Sequence, residues 1–265
     1  MAAAIAFIKP TLDKLCFLVE WAVLILFLTI RGDLHTLQVG LVAAYPLLFF
    51  YLVGCLLVAC SHRVSHITPV KLLASIAVGL VLLDQAAKAA VEWLLPYRAK
   101  ISLVNGWLAI VHERNYAGAW LFEILDLPSS IGVKLTQWGL ILVMIVLLPL
   151  CHRFYTTTNR TSLWADIVFL GLFAACWSWL IDKAVRGYIL DFIALPGLFA
   201  ADFKDIFTSL AVGAILVEVR QNPSLSWRWQ GWHTELAEGR RVILNLYHFG
   251  KQEARQVWAR LRRSS

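Results

Sequence analysis

Three aspartates and a lysine sit where an apolar chain has least reason to carry them. Asp84 and Lys88 lie within "VGLVLLDQAAKAAVEWLLP" (78–96), Asp182 closes the run "ACWSWLID", and Asp205 falls in "AADFKDIFTSL". A charged side chain at the centre of a bilayer costs about 2.5–3.5 kcal/mol on insertion scales, so such residues face a bundle interior or mark function. Asp84 and Lys88 are four residues apart, share a helix face and can pair, with Gln85 about 100° round the axis. Taken singly, each acid has a bland reading: the Asp84–Lys88 pair ties helices together, and Asp205, or Asp202 before it, caps a helix. Convergence changes the chemistry. Two carboxylates brought close in a low dielectric cannot both ionise easily, so one proton is shared between them. The pair then offers a base to activate water and an acid for the leaving group, the arrangement of aspartic proteases. Asp182 ends one apolar helix and Asp205 begins the next, so both are predicted at one membrane face with Asp84, meeting as a dyad.

Other chemistries find less support. The seven histidines lie in loops or near the C-terminus, and the five cysteines show no CxxC or Cys/His spacing, which argues against zinc and a disulfide framework. "YLVGC", ending at Cys55, imitates a lipoprotein cleavage box but lies inside an apolar block with no basic leader before it. No metal or organic cofactor is predicted.

The elements that must hold these acids follow from composition. Of 265 residues, 60% are hydrophobic and 15% charged, where a soluble domain has about 45–50% and about 25%. The excess comes in blocks near 20 residues, enough to cross about 30 Å of hydrocarbon at 1.5 Å per residue. Six spans are predicted: Cys16 to Ile30, Leu37 to Cys60, Leu72 to Leu95, Gly132 to Leu150, Leu163 to Ile181 and Phe203 to Val219. The fold class expected is an all-α polytopic membrane protein. Residues 1–67 form an N-terminal transmembrane hairpin and 68–219 a four-helix core. A small strand-rich cap is expected at 97–131, where "ISLVNGWLAIVHERN" is rich in β-branched residues and carries an Asn105-Gly106 turn signal. The tail, 220–265, reads as an amphipathic helix from Thr234 to Leu261 suited to an anionic inner leaflet. The +7 net charge sits largely there and indicates lipid headgroups, not nucleic acid. Its basic residues also favour cytoplasmic termini, which puts the acids at the outer face.

At these positions the chain resembles the lipoprotein signal peptidases, the type II signal peptidases of bacteria. "DQAAK" matches their D-Q-x-x-K block. "RNYAGAWLF" resembles N-x-G-x-A-F, keeping Asn115 but with Ala117 at the glycine. "WLIDKAVRGYILDFIAL" resembles G-N-x-I-D-R followed by V-V-D-F-x-D, keeping Asp182, Gly187, Asp191 and Phe192. "DFKDIF" resembles N-x-A-D, keeping Asp205. Departures are Trp179 for Asn, Lys183 for Arg, Ala194 for the second acid and Asp202 for Asn. Arg to Lys loses a planar, multi-donor fork.

The resemblance implies hydrolysis of the bond before a diacylglyceryl-modified cysteine in a prolipoprotein arriving within membrane lipid. It makes Asp182 and Asp205 the catalytic pair. Asp84, Gln85, Lys88, Asn115, Lys183 and Asp191 bind substrate or support the site, Asn115 towards substrate backbone or developing oxyanion charge. Two other readings stand beside it: a non-cleaving relative that binds lipoproteins, and a proton- or ion-coupled carrier. The oligomeric state is left open.

Overall fold

The computed structural model describes residues 7–34, 37–104, 106–116, 131–225 and 232–264. In chain order the helices are α1 Leu12–Cys16, α2 Val19–Arg31, α3 Leu37–Ser61, α4 Val70–Leu94, α5 Ile131–Thr158, α6 Leu163–Ile181, α7 Phe203–Gln221 and α8 Trp232–Ser264. The strands are β1 Lys100–Val104, β2 Leu108–Asn115, β3 Ile189–Leu195 and β4 Phe199–Ala201.

Each of the six apolar blocks forms a helix. Among the described residues, four stretches are long and apolar enough to cross a membrane: Val39–Ser61, Val70–Leu94, Lys134–Thr158 and Leu163–Arg186. The other two differ. Helix α2 has 13 residues and reaches about 20 Å at 1.5 Å per residue, short of a hydrocarbon core of about 30 Å. Helix α7 carries Lys204, Asp205, Glu218 and Arg220 within 19 residues.

The chain is mostly helical, as expected, with a small sheet that extends beyond the expected cap. A four-stranded antiparallel sheet runs in the order β1-β2-β3-β4, and half of its strands come from the segment between α6 and α7, where no strand is predicted from sequence. The sequence "ILDFIAL" hid its alternation inside a continuous apolar run. Its two faces are both covered: Leu190 and Phe192 pack on Val91 and Leu95 of α4, while Asp191 points the other way, as side-chain alternation requires. The expected cap survives as β1 and β2, joined through Gly106 at φ +75°; its remainder, 117–130, and the Ala117 position lie outside the described residues.

The N-terminal segment is built into the core rather than appended to it. The Phe17 ring lies where side chains on Gly54 of α3 and Gly213 of α7 would stand, 2.9 and 2.3 Å from their Cβ positions. It packs with Phe50, Val58, Trp164, Ala214 and Val217. Helices α6 and α7 approach still more closely, a Cβ on Gly171 falling 2.5 Å from the Phe207 carbonyl oxygen. At the other end, α8 runs unbroken through Gly239 and Gly250, is tied to α5 by Arg153–Glu253 at 2.9 Å, and leaves Val242, Ile243, Tyr247 and Trp258 exposed.

Candidate active site

The polar residues of α4 lie on its buried stripe. Leu73, Ala77, Asp84, Lys88 and Val91 recur at three-, four- and seven-residue steps and are all buried, so the helix turns its acid and lysine inward with its apolar contacts. Lys88, 0% exposed, is a hub. Its Nζ lies 2.7 Å from Asp84, 2.6 Å from Asp182 and 2.6 Å from Asp202. The second oxygen of Asp182 accepts from Arg186 at 3.0 Å and Gln85 at 3.0 Å. Arg186 also donates to Gln85 at 2.6 Å and to Glu92 at 2.9 Å. One turn of π-helix, Asp182–Arg186, brings Arg186 back over Asp182, and Gly187 at φ +76° ends it, a left-handed conformation that glycine adopts at least cost.

A second hub lies beside the first. Lys204 Nζ is 2.7 Å from Asp202, 3.5 Å from Asp205 and 3.8 Å from Asp191. One carboxylate oxygen from each of Asp191, Asp202 and Asp205 lies within 4.8 Å of the others. Asp202 therefore bridges two ammonium groups. It also caps α7: its side chain accepts from the Asp205 N–H at 3.2 Å, and Asp205 accepts from the Asp202 N–H at 3.1 Å. This reciprocal box satisfies two helix-end donors, so the capping role foreseen for these acids is real and coexists with the cluster. Asp191 accepts from Asn115 at 3.1 Å through one oxygen, while the other, Oδ1, is buried without a hydrogen bond. The β2–β3 register, Glu113 opposite Asp191 and Asn115 opposite Ile189, sets that contact. Burial pushes the Asp191 carboxyl up to about 8, against the pull of Lys204.

The two acids of this cluster that are not locked between lysines face open space on different sides. Asp205 and Lys204 line a cavity of about 280 Å³ between α2, α6 and α7, walled by Trp21, Leu24, Cys176 and Trp179. Asp191 and Asn115 line a cleft of about 880 Å³ beneath the sheet. Phe199 and Ala200 line both spaces, and the carboxyl cluster has Asp205 on one and Asp191 on the other.

Asp182, expected to pair with Asp205, makes its ion pairs and hydrogen bonds with Lys88, Arg186 and Gln85. Both oxygens of Asp182 are occupied, by Lys88 on one side and Arg186 with Gln85 on the other, and the side chain is fully buried. Two acids share a cluster with Asp205: Asp202, and Asp191, which sequence reasoning assigned a supporting role. Asp84, Gln85 and Lys88 stand in the inner network as expected. Lys183 does not join it, donating instead to the Tyr116 carbonyl at 3.0 Å; the guanidinium at the site is Arg186, three residues on. Trp179 meets Trp138 edge to face, ring centres 5.3 Å apart, and Ala194 pairs in the sheet with Ala109 and Ala200. Lys204, Arg186 and Glu92 were missed. The signal for Lys204 was in plain view, a lysine between two acids of a cap sequence, but it reads equally well as a solvated helix start.

The profile of signal peptidase (SPase) II matches residues 76–220. A lipoprotein signal peptidase of Staphylococcus carnosus is 29% identical over 146 residues, 54% of this chain and 84% of that protein. Another, of Fusobacterium nucleatum, is 24% identical over 143 residues, 52% of this chain and 80% of that protein. A solved bacterial membrane enzyme superposes with a TM-score of 0.51 at 17% identity, covering 63% of this chain and 98% of that one, a likeness of fold.

Proposed function

The chain belongs to the signal peptidase (SPase) II family, and from that premise we propose that it is a membrane aspartic endopeptidase removing the signal peptide from diacylglyceryl-modified prolipoproteins. The reacting pair we assign is Asp191 and Asp205. The observation that carries this is their joint cluster, with Asp205 on the cavity and Asp191 on the cleft, and one Asp191 oxygen without a hydrogen bond. A peptide bond laid between the two carboxyls meets both. One carboxylate takes a proton from water as the water attacks the carbonyl carbon; the other gives its proton to the departing amine. Asn115, donating to Asp191, fixes the orientation of that carboxyl. Asp84, Gln85, Lys88, Asp182 and Arg186 act through position: they clamp the ends of α4 and α6 against the start of α7.

The apolar walls contributed by Trp21, Leu24, Cys176 and Trp179 suit the hydrocarbon side of a lipid-bearing substrate. In this reading all six apolar helices lie in the membrane, the acids face the outer surface, and both termini are cytoplasmic, with α8 along the inner leaflet.

The test is hydrolysis itself. Purified protein is incubated with a diacylglyceryl prolipoprotein and the loss of signal-peptide mass is followed. Wild type is expected to cleave and Asp205→Asn to be silent; cleavage by Asp205→Asn at the wild-type rate contradicts the assignment. The ammonium of Lys204, 3.5 Å from Asp205, is the one observation favouring a non-cleaving lipoprotein-binding relative, and binding by wild type without mass loss identifies that case.

A further inference from the structure

The family block written N-x-A-D has two neutral positions ahead of its aspartate; here both are charged, Asp202 and Lys204. The structure joins them at 2.7 Å and puts the same ammonium 3.5 Å from Asp205 and 3.8 Å from Asp191. Lys204 is buried, so water screens these contacts little. A shared proton and a lysine ammonium do the same electrostatic work between two carboxylates, and each disfavours the other. We propose that Lys204 is an internal counter-ion competing with the shared proton of the Asp191–Asp205 pair, a positioning residue that sets the pH window in which the pair can act. This rests on the peptidase reading for its consequence and on geometry alone for its contact.

The charged groups around Lys204 come from every neighbouring element. Asp191 faces it from β3, Asp202 from the cap, Asp205 from its own helix, and Glu20 of α2 lines the same cavity. Lys88 and, through it, Asp84 and Asp182 stand behind Asp202, and Lys183 closes the end of α6 near enough to feel the charge. These six acids stand against the ammonium groups of Lys88, Lys183 and Lys204, so removing the last leaves the carboxylates in clear excess. Asp202 keeps Lys88 at 2.6 Å as its partner when Lys204 is lost, which allows a neutral variant to fold.

The experiment compares wild type, Lys204→Met and Lys204→Arg, each checked for an unchanged elution profile. The infrared band of protonated carboxyl, assigned to Asp191 by its loss in Asp191→Asn, is titrated in detergent. In Lys204→Met it is expected to persist to a pH higher by about one to three units, the range over which a neighbouring opposite charge moves a carboxyl. Lys204→Arg, which retains the charge, is expected to titrate near wild type. The alkaline limit of prolipoprotein cleavage is expected to move up with the band in Lys204→Met. Identical titration of wild type and Lys204→Met overturns the proposal. A shifted band with no cleavage by wild type at any pH upholds the counter-ion and rejects the peptidase reading instead.

Discussion

Burial favours the protonated form of the Asp191 carboxyl in the folded protein. Its pKa stands at about 8 against an ordinary 3.8, so between those values the native state binds more protons than the unfolded one, and stability falls as pH rises. Asp191→Asn removes that dependence. At pH 8 the variant is expected to melt at or above the wild-type temperature while cleavage falls about 10²–10⁴-fold, the usual worth of a positioned acid or base. Wild-type cleavage is expected to decline as pH rises through about 8, where the pair loses its proton; a pH–rate profile checks this. Lys88 makes the opposite prediction. Three carboxylates depend on it, and Lys88→Met is expected to lower stability by about 3–5 kcal/mol, the loss typical of one partner in a buried ion pair, measured by denaturant unfolding in detergent. The Asp84–Lys88 pair was legible from its four-residue spacing. The contacts that favour Asp191 over Asp182 in the proposal were not, because they depend on which carboxylate oxygens are already taken, which follows from the π-helical turn and the β2–β3 register.

At the scale of elements, the site depends on how closely α6 meets α7, since one helix ends at Asp182 and the other starts at the Asp202 cap. Gly171 permits that approach. Gly171→Ala puts a methyl 2.5 Å from the Phe207 carbonyl, backbone that cannot swing aside, and is expected to cost about 1–3 kcal/mol through overpacking. The same change at Gly79, with nothing within 4 Å, is expected to be neutral or mildly stabilising, because alanine is the better helix former. Thermal melts of the two variants make the comparison. The helices themselves were readable as apolar blocks, with α3, α4 and α6 ending within a few residues of the expected bounds. The sheet was half readable: β2 announced itself by a turn signal, whereas β3 and β4 lay in a loop defined only by what flanked it. A strand apolar on both faces shows no alternation to the eye, and Asp191 was its one polar mark.

In the whole molecule, the proposal gives the parts outside the matched region to the site and the membrane respectively. The N-terminal segment carries the Phe17 plug and gives the cavity Trp21 and Leu24, a role its sequence did not disclose because nothing local says which distant glycines leave room for a ring. The basic helix α8 was legible from its periodicity. In anionic nanodiscs its Arg240, Arg241 and Lys251 are expected to resist trypsin more than in zwitterionic ones, each basic residue contributing about 1 kcal/mol at the surface. That protection is expected to vanish near 1 M salt, where the Debye length is about 3 Å. The most direct test of the account sets two variants of the full chain side by side in one prolipoprotein cleavage assay, with a melt on each. Asp191→Asn is predicted to be folded and silent, and Asp182→Asn to be less stable yet to cleave measurably while folded. Brisk cleavage by Asp191→Asn together with a folded, silent Asp182→Asn would contradict it.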